Sequence, residues 1–349
     1  MIHLIHQLEA TRDLPDEQLL ALIACEDEQI NEYLAQRARA VRQSVYGDEV
    51  YIRGLIEFTN YCKNDCRYCG IRRSNDNCQR YRLSQEEILD CCRAGYELGF
   101  RTFVLQGGED GWYTRDRMTQ MIRAIRADFP DCAITLSVGE RDRDTYQQWF
   151  DAGANRYLLR HETANEPLYR TLHPAPLSLK ERMDCLYALK EIGYQVGCGF
   201  MVGVPGQTNE MLVEDLRFIQ QFGPHMVGIG PFVPHCDTQY CHQPAGSARL
   251  TLRLLAILRL MHPQVLLPAT TALGTVMGDG RQQGMLYGCN VVMPNLSPED
   301  VRAKYALYDN KLSSGQEAAQ CVAELARSME SIGYRVVTHR GDWKGVRVP

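Results

Sequence analysis

From Val50 to Gly70 the chain reads VYIRGLIEFTNYCKNDCRYCG. Its first half is a β-branched and aromatic run of strand type, and its second half is a loop holding Cys62, Cys66 and Cys69 at C-x3-C-x2-C spacing. Thiols clustered this way, in a chain without a secretory signal, read as metal ligands or redox groups rather than as a disulfide framework. A structural zinc site wants four closed ligands, whereas three thiolates on a four-iron cluster leave one iron open to a small molecule. Three structural thiols, or a zinc site completed from afar, are the alternatives. Cys78 lies nine residues beyond Cys69, and a thiolate from it would close the open position.

The alternation that follows places this loop in a fold. Strand-type runs continue as TFVLQGG, AITLSVG, RYLLRHE, QVGCGFMVG, MVGIGPF, VLLPATTA and NVVMPN, which with the first makes eight. Between them lie amphipathic stretches such as SQEEILDCCRAGYELGF, TRDRMTQMIRAIRADF, SLKERMDCLYALKEIGY and TNEMLVEDLRFIQQFG, each opening on Ser or Thr as an N-cap. Strict alternation implies parallel strands with helical crossovers. Eight such units predict an α/β fold, a complete (β/α)8 TIM barrel, in preference to a doubly wound sheet of fewer strands. Residues 13–44 carry helical spacing, with Asp13 and Pro15 as a helix start. The expected organisation is an N-terminal helical extension over 1–48, the barrel over 49–312, and a C-terminal helix and tail over 313–349 that close it.

Composition narrows the function classes. The 349 residues are 45% hydrophobic and 23% charged, enough for an ample core, and carry a formal net charge of -5. The one locally basic stretch, THRGDWKGVRV, is a short tail, so no nucleic-acid footprint is present. The N-terminus has no basic region followed by an apolar core, and no run of eighteen apolar residues occurs. We expect a cytoplasmic protein with neither nucleic acid nor membrane as partner. Eleven of the 14 cysteines are scattered through helix and strand patterns and read mostly as small buried hydrophobes.

In a barrel of this type the active site lies at the C-terminal ends of the strands. Here those ends are polar: EFTN before the cysteines, then QGGED, SVGE, RHETAN, PATTA and MPN.

With Tyr68 before its last cysteine, the C-x3-C-x2-C loop after strand one resembles the radical S-adenosylmethionine (SAM) superfamily. That resemblance implies one 4Fe-4S cluster on Cys62, Cys66 and Cys69, whose open iron chelates SAM and donates the electron that splits it into methionine and a 5'-deoxyadenosyl radical. QGGED, with Gly107, Gly108 and Glu109, resembles the superfamily motif that receives the methionine amino group; a GG pair alone would more often be a turn. In GFMVGVPGQT, Met201 resembles a residue beside the adenine.

The combination of RHETAN, PATTA and MPN, with the strand ends from about residue 45 to 310, resembles the radical SAM maturases of FeFe-hydrogenase. Biotin synthase and methylornithine synthase are the related alternatives, acting on small organic substrates, and a non-catalytic metal scaffold is a third. By resemblance, Tyr68, Glu162 and Arg182 contact SAM, while Thr135, Arg160, Thr270, Thr271, Met293 and Tyr305 form the substrate cavity. Read from the residues alone, Glu162 and Arg182 equally make a structural ion pair, and Thr270 and Thr271 a capped strand end. His161 reads as packing. The resemblance implies an iron-carbonyl-cyanide-cysteine substrate, a sister radical SAM maturase, a GTPase scaffold, and a reductant such as a ferredoxin or flavodoxin. Some members carry three further C-terminal cysteines for a second cluster. This chain has only Cys321 there, on a helix expected to open after Ser314 and Gly315, so one cluster is expected.

Overall fold

The computed structural model describes residues 1–312 and 319–345. Three helices precede the first strand: α1 (Ile2–Thr11), α2 (Asp16–Ala24) and α3 (Glu28–Tyr46). The stretch read as helical over 13–44 breaks at Cys25, because Asp27 starts α3 by accepting the amide protons of Gln29 and Ile30.

The first strand also breaks, at Arg53. β1 (Glu49–Ile52) joins a small sheet of order β10-β1-β11 with β10 (Val291–Val292) and β11 (Arg335–Val337), and β2 (Gly54–Thr59) begins the barrel wall. The wall continues in parallel through β3 (Thr102–Gly107), β4 (Ala133–Ser137), β5 (Arg156–Leu158), β6 (Gln195–Cys198) and β8 (Met226–Val227). The seventh position is held by single parallel bridges, Met226 with Leu266 and Pro268 with Val291, and the bridge of Leu55 to Asn295 returns the ring to β2. The segment 265–269 is no regular strand because Pro268 has no N–H to give to the ladder. Above the wall, β7 (Met201–Val202) pairs with β9 (Gly230–Pro231).

The crossover helices are α4 (Gln85–Glu97), α5 (Arg115–Asp128), α6 (Arg143–Asp151), α7 (Glu166–Leu172), α8 (Leu179–Ile192), α9 (Asn209–Phe222), α10 (Ala248–Met261), α11 (Thr271–Val276), α12 (Gly280–Leu286) and α13 (Glu299–Arg302). Ser84, Thr114, Asp142, Asn165, Ser178, Thr208, Ser247 and Thr270 each cap a helix by accepting a backbone N–H. Each such cap contributes about 1 kcal/mol and fixes where a mouth loop ends. Helix α10 is buried almost all round, since α3 packs on the face turned from the barrel.

At the closed end, β11 pairs with β1, Thr102 donates to the Arg340 carbonyl at 2.8 Å, and Arg156 meets Asp342 at 2.7 Å. The C-terminal helix, α14, spans Val322–Glu330; an opening after Ser314 and Gly315 lies outside the described residues. Among the described residues no helix is long and apolar enough to cross a membrane.

Candidate active site

Inward positions near the C-terminal ends of the strands enclose a chamber of about 370 Å³, within the range of small-ligand cavities. Cys62, Cys66 and Cys69 line one side of it. Their loop is drawn over the mouth by backbone bonds: Lys63 N–H to the Glu109 carbonyl at 2.9 Å, Arg67 N–H to Leu172 at 2.9 Å, and Gly70 N–H to Leu307 at 2.8 Å. All three thiols are free. Burial pushes their pKa values up, that of Cys66 strongly and that of Cys69 to about 12, with the neighbouring thiols adding to the shift at both. Burial raises Cys62 as well. Thiols must ionise to bind iron, so loading this site releases protons. The donor set suits a cluster with one open iron: three soft ligands converge on a chamber whose lining holds no further Cys or His. Cys78 is outside that lining, its sulfur 3.5 Å from the Asn60 side-chain amide.

The proposed SAM contacts, Tyr68, Gly107, Gly108, Glu109, Glu162, Arg182 and Met201, are all at the chamber wall. Gly108 is required by close approach, since a Cβ there would meet the Tyr61 carbonyl oxygen at 2.1 Å and the Cys62 Cβ at 2.9 Å. Glu109 is 7% exposed, with Lys63 at 3.2 Å and Arg141 at 3.8 Å, yet its Oε2 makes no aligned hydrogen bond. Arg182 Nε and Glu140 Oε1 approach to 2.7 Å, again without hydrogen-bond alignment. Burial opposes the Arg182 charge, but Glu140, Tyr169 and Glu109 outweigh it and raise its pKa; burial likewise raises that of Glu140 against the pull of Arg182. These groups are paired by charge while keeping hydrogen-bonding capacity for a ligand that carries ammonium and carboxylate together.

Glu162 departs from ordinary backbone. Its φ is 66°, left-handed for a residue with a Cβ, and Gly199 and Met201 clamp it by accepting from its N–H at 3.0 Å and donating to its carbonyl at 3.1 Å. Such strain costs about 1 to 3 kcal/mol and collects at functional sites. His161 buttresses the turn from below. Its Nδ1 accepts the Gly199 N–H at 3.3 Å and its Nε2 faces Asp215 at 3.2 Å, while burial lowers its pKa to about 3 and keeps it neutral. Asp215 also accepts the Ala164 N–H at 2.6 Å.

Of the proposed substrate residues, Arg160, Thr270, Thr271, Met293 and Tyr305 line the chamber. Thr135 does not. It lies one inward step below Ser137, in a small pocket toward the closed end with Arg53, Arg156 and Gln195. Thr270 does both things its sequence allowed, capping α11 through Leu273 N–H and facing the chamber. Arg160 Nη2 lies 3.1 Å from Glu162 Oε2.

Sequence reasoning missed several groups. His173 and Tyr169 stack with centroids 3.9 Å apart, and His173 Nε2 is 3.3 Å from the Tyr68 hydroxyl, fixing the aromatic beside the last cysteine. Glu57, Gln106 and Lys311 also line the chamber. An acid and an amide at inward positions of β2 and β3 are visible as polar residues in apolar runs, but Lys311 has no such signal.

Comparison with known proteins agrees with this geometry. The model of the Radical SAM superfamily matches residues 56–219. The chain is 42% identical over 334 residues to the FeFe-hydrogenase maturase subunit HydE of Thermotoga maritima, covering 96% of this chain and 94% of that protein. It is 32% identical over 322 residues to 3-methylornithine synthase of Methanosarcina acetivorans, covering 92% and 89% respectively. A crystal structure of methylornithine synthase superposes with a TM-score of 0.86 at 29% identity, covering 96% of this chain and 97% of that one. The chain belongs to the radical SAM superfamily, in the group that includes the hydrogenase maturase subunit HydE.

Proposed function

We propose that this radical SAM enzyme is a maturase of FeFe-hydrogenase that acts on a mononuclear iron precursor bearing carbonyl, cyanide and cysteine, on the way to the di-iron subcluster. The observation that carries this reading is the 42% identity to HydE along 96% of the chain. Its cofactors are a 4Fe-4S cluster and SAM. When bound, the cluster supplies the electron for cleavage of SAM to methionine and a 5'-deoxyadenosyl radical.

In this reading Cys62, Cys66 and Cys69 hold the cluster. Glu109 takes the SAM ammonium, Arg182 its carboxylate, and Glu162 and Tyr68 further contacts, while Gly107 and Gly108 let backbone approach the methionine and Met201 lies beside the adenine. Arg160, Thr270, Thr271, Met293 and Tyr305 hold the substrate. The chamber walls exclude water and stray hydrogen donors from a reactive radical. The partners are a sister radical SAM maturase that supplies the precursor, a GTPase scaffold that receives the product, and a ferredoxin or flavodoxin reductant, all in the cytoplasm.

A second reading, a methylornithine synthase-like or biotin synthase-like enzyme with a small organic substrate, draws on the TM-score of 0.86 to methylornithine synthase. Deleting the gene separates the two. The maturase reading expects loss of hydrogenase activity without biotin auxotrophy, and active hydrogenase in the deletion strain defeats it.

A further inference from the structure

Across the chamber from Arg160 and Glu162 stands a second ion pair that the functional reading does not use. Glu57 is on β2, three strands round the wall from β5, and its side chain is fully buried. Lys311 Nζ donates to Glu57 Oε1 at 2.5 Å and to the Tyr305 carbonyl at 3.1 Å. Asn295 donates its side-chain N–H to Glu57 Oε2 at 2.8 Å. Glu57 and Tyr305 thus fix the ammonium and Asn295 fixes Glu57, offsetting the cost of burying an unpaired charge.

Lys311 is also tied to the cluster loop. It lies on a strap after α13 whose Leu307 carbonyl accepts the Gly70 N–H at 2.8 Å and whose Lys304 carbonyl accepts from the Asn60 side chain at 2.8 Å. An ammonium has three N–H donors. Glu57 and Tyr305 take two; the third has no oxygen or nitrogen acceptor among the described residues, the Tyr305 ring lies 5.0 Å from Nζ, and Lys311 faces the chamber.

We propose that Lys311 binds the carboxylate of the small-molecule substrate through this spare N–H, so that the ammonium bridges two carboxylates, one of the protein and one of the ligand. Glu57 sets the ammonium in place before the ligand arrives, which reduces the ordering cost of binding. The inference rests on the maturase reading, in which the iron complex carries cysteine and hence one carboxylate. With Arg160 on the facing wall, the chamber grips its ligand from two sides.

The test compares two iron-carbonyl-cyanide complexes, one bearing cysteine and one bearing cysteamine, which lacks only the carboxylate. Dissociation constants are measured by anaerobic calorimetry on the cluster-loaded, SAM-bound enzyme. Loss of the carboxylate weakens binding to the wild type about 10- to 100-fold, the range of a charge-assisted hydrogen bond. Lys311→Met weakens the cysteine complex by a similar factor and binds both complexes alike, while Lys311→Arg keeps part of the preference and serves if the Met variant fails to fold. Wild-type affinity for the cysteine complex in Lys311→Met, or two losses that multiply, overturns the proposal and leaves the maturase reading standing. A wild-type enzyme that binds neither complex overturns both.

Discussion

Arg259 at the closed end and Arg182 at the mouth are both buried, and they are treated differently, while Arg53 and Arg156 toward the closed end also leave nitrogens without a hydrogen bond. At the closed end Arg259 donates to the carbonyls of Gly288 at 2.9 Å, Pro263 at 2.7 Å and Val265 at 2.8 Å, and to Asn290 at 3.2 Å. At the mouth Arg182 and Arg160 lie against Glu140 and Glu162, yet Arg182 Nε and Arg160 Nε and Nη2 make no aligned hydrogen bond. The first arrangement consumes its donors to hold chain segments together. The second neutralises charge and keeps donors in reserve. Substitution of Arg259 should therefore cost stability and spare ligand affinity, and substitution of Arg182 the reverse.

The largest expected effect is at the mouth. Cys66→Ser should abolish cluster incorporation, read as iron content, and cut 5'-deoxyadenosine formation at least about 1,000-fold, while the metal-free chain unfolds within about 1 kcal/mol of the wild type. Next is the closed end, where Arg259→Met strands three carbonyls, while Asn290 Oδ1 keeps the Leu267 N–H. A loss of about 3 to 5 kcal/mol in denaturant unfolding is expected, with the SAM dissociation constant of the folded fraction unchanged. A stability loss below 1 kcal/mol would erase the distinction between the ends.

Arg182→Met should then weaken SAM binding about 10- to 100-fold, with little change in stability. The fold tolerates it because burial already raises the pKa of Glu140, which can take a proton once its partner is gone. A stability loss as large as that of Arg259→Met would mean that the mouth pair is structural.

The most gradual effect, spread over more than two pH units, concerns the closed end. Burial, with the Arg259 charge adding to it, lowers the His262 pKa from 6.5 to about 4. The unfolded chain binds this proton more readily than the folded one, so the stabilisation is present above pH 6.5 and is lost as pH falls toward 4. The slope from this group approaches about 1.4 kcal/mol per pH unit. His262→Gln should flatten the stability profile in that window, measured by chemical denaturation at successive pH values, and an unchanged slope would show that the ring titrates normally.

Much of the fold was legible in the sequence because alternation and capping are local signals. The N-caps Ser84, Thr114, Ser178 and Thr208 lie where the helical patterns open, and the three cysteines declare themselves by spacing alone. What escaped depends on distant chain. The β-rich run over 50–59 is unbroken as a pattern, but β1 turns away to pair with β11 near the other terminus. Pro268 interrupts the seventh strand in plain view, though only the bridges around it show that the ring still closes. Thr135 has the inward parity the chamber requires; period-two alternation gives the face of a strand and not its depth, and the residue sits one layer too low. Lys311 reaches Glu57 across 254 residues, a pairing no local pattern can announce.

The most direct test is 5'-deoxyadenosine formation by the anaerobically reconstituted enzyme with dithionite and SAM, with and without the iron-carbonyl-cyanide-cysteine complex. The account predicts three thiolate ligands per cluster, SAM cleavage that requires all three, and faster cleavage with conversion of the complex when it is supplied. A reconstituted cluster that cleaves no SAM would contradict the account at its base, and SAM cleavage indifferent to the complex would contradict the maturase.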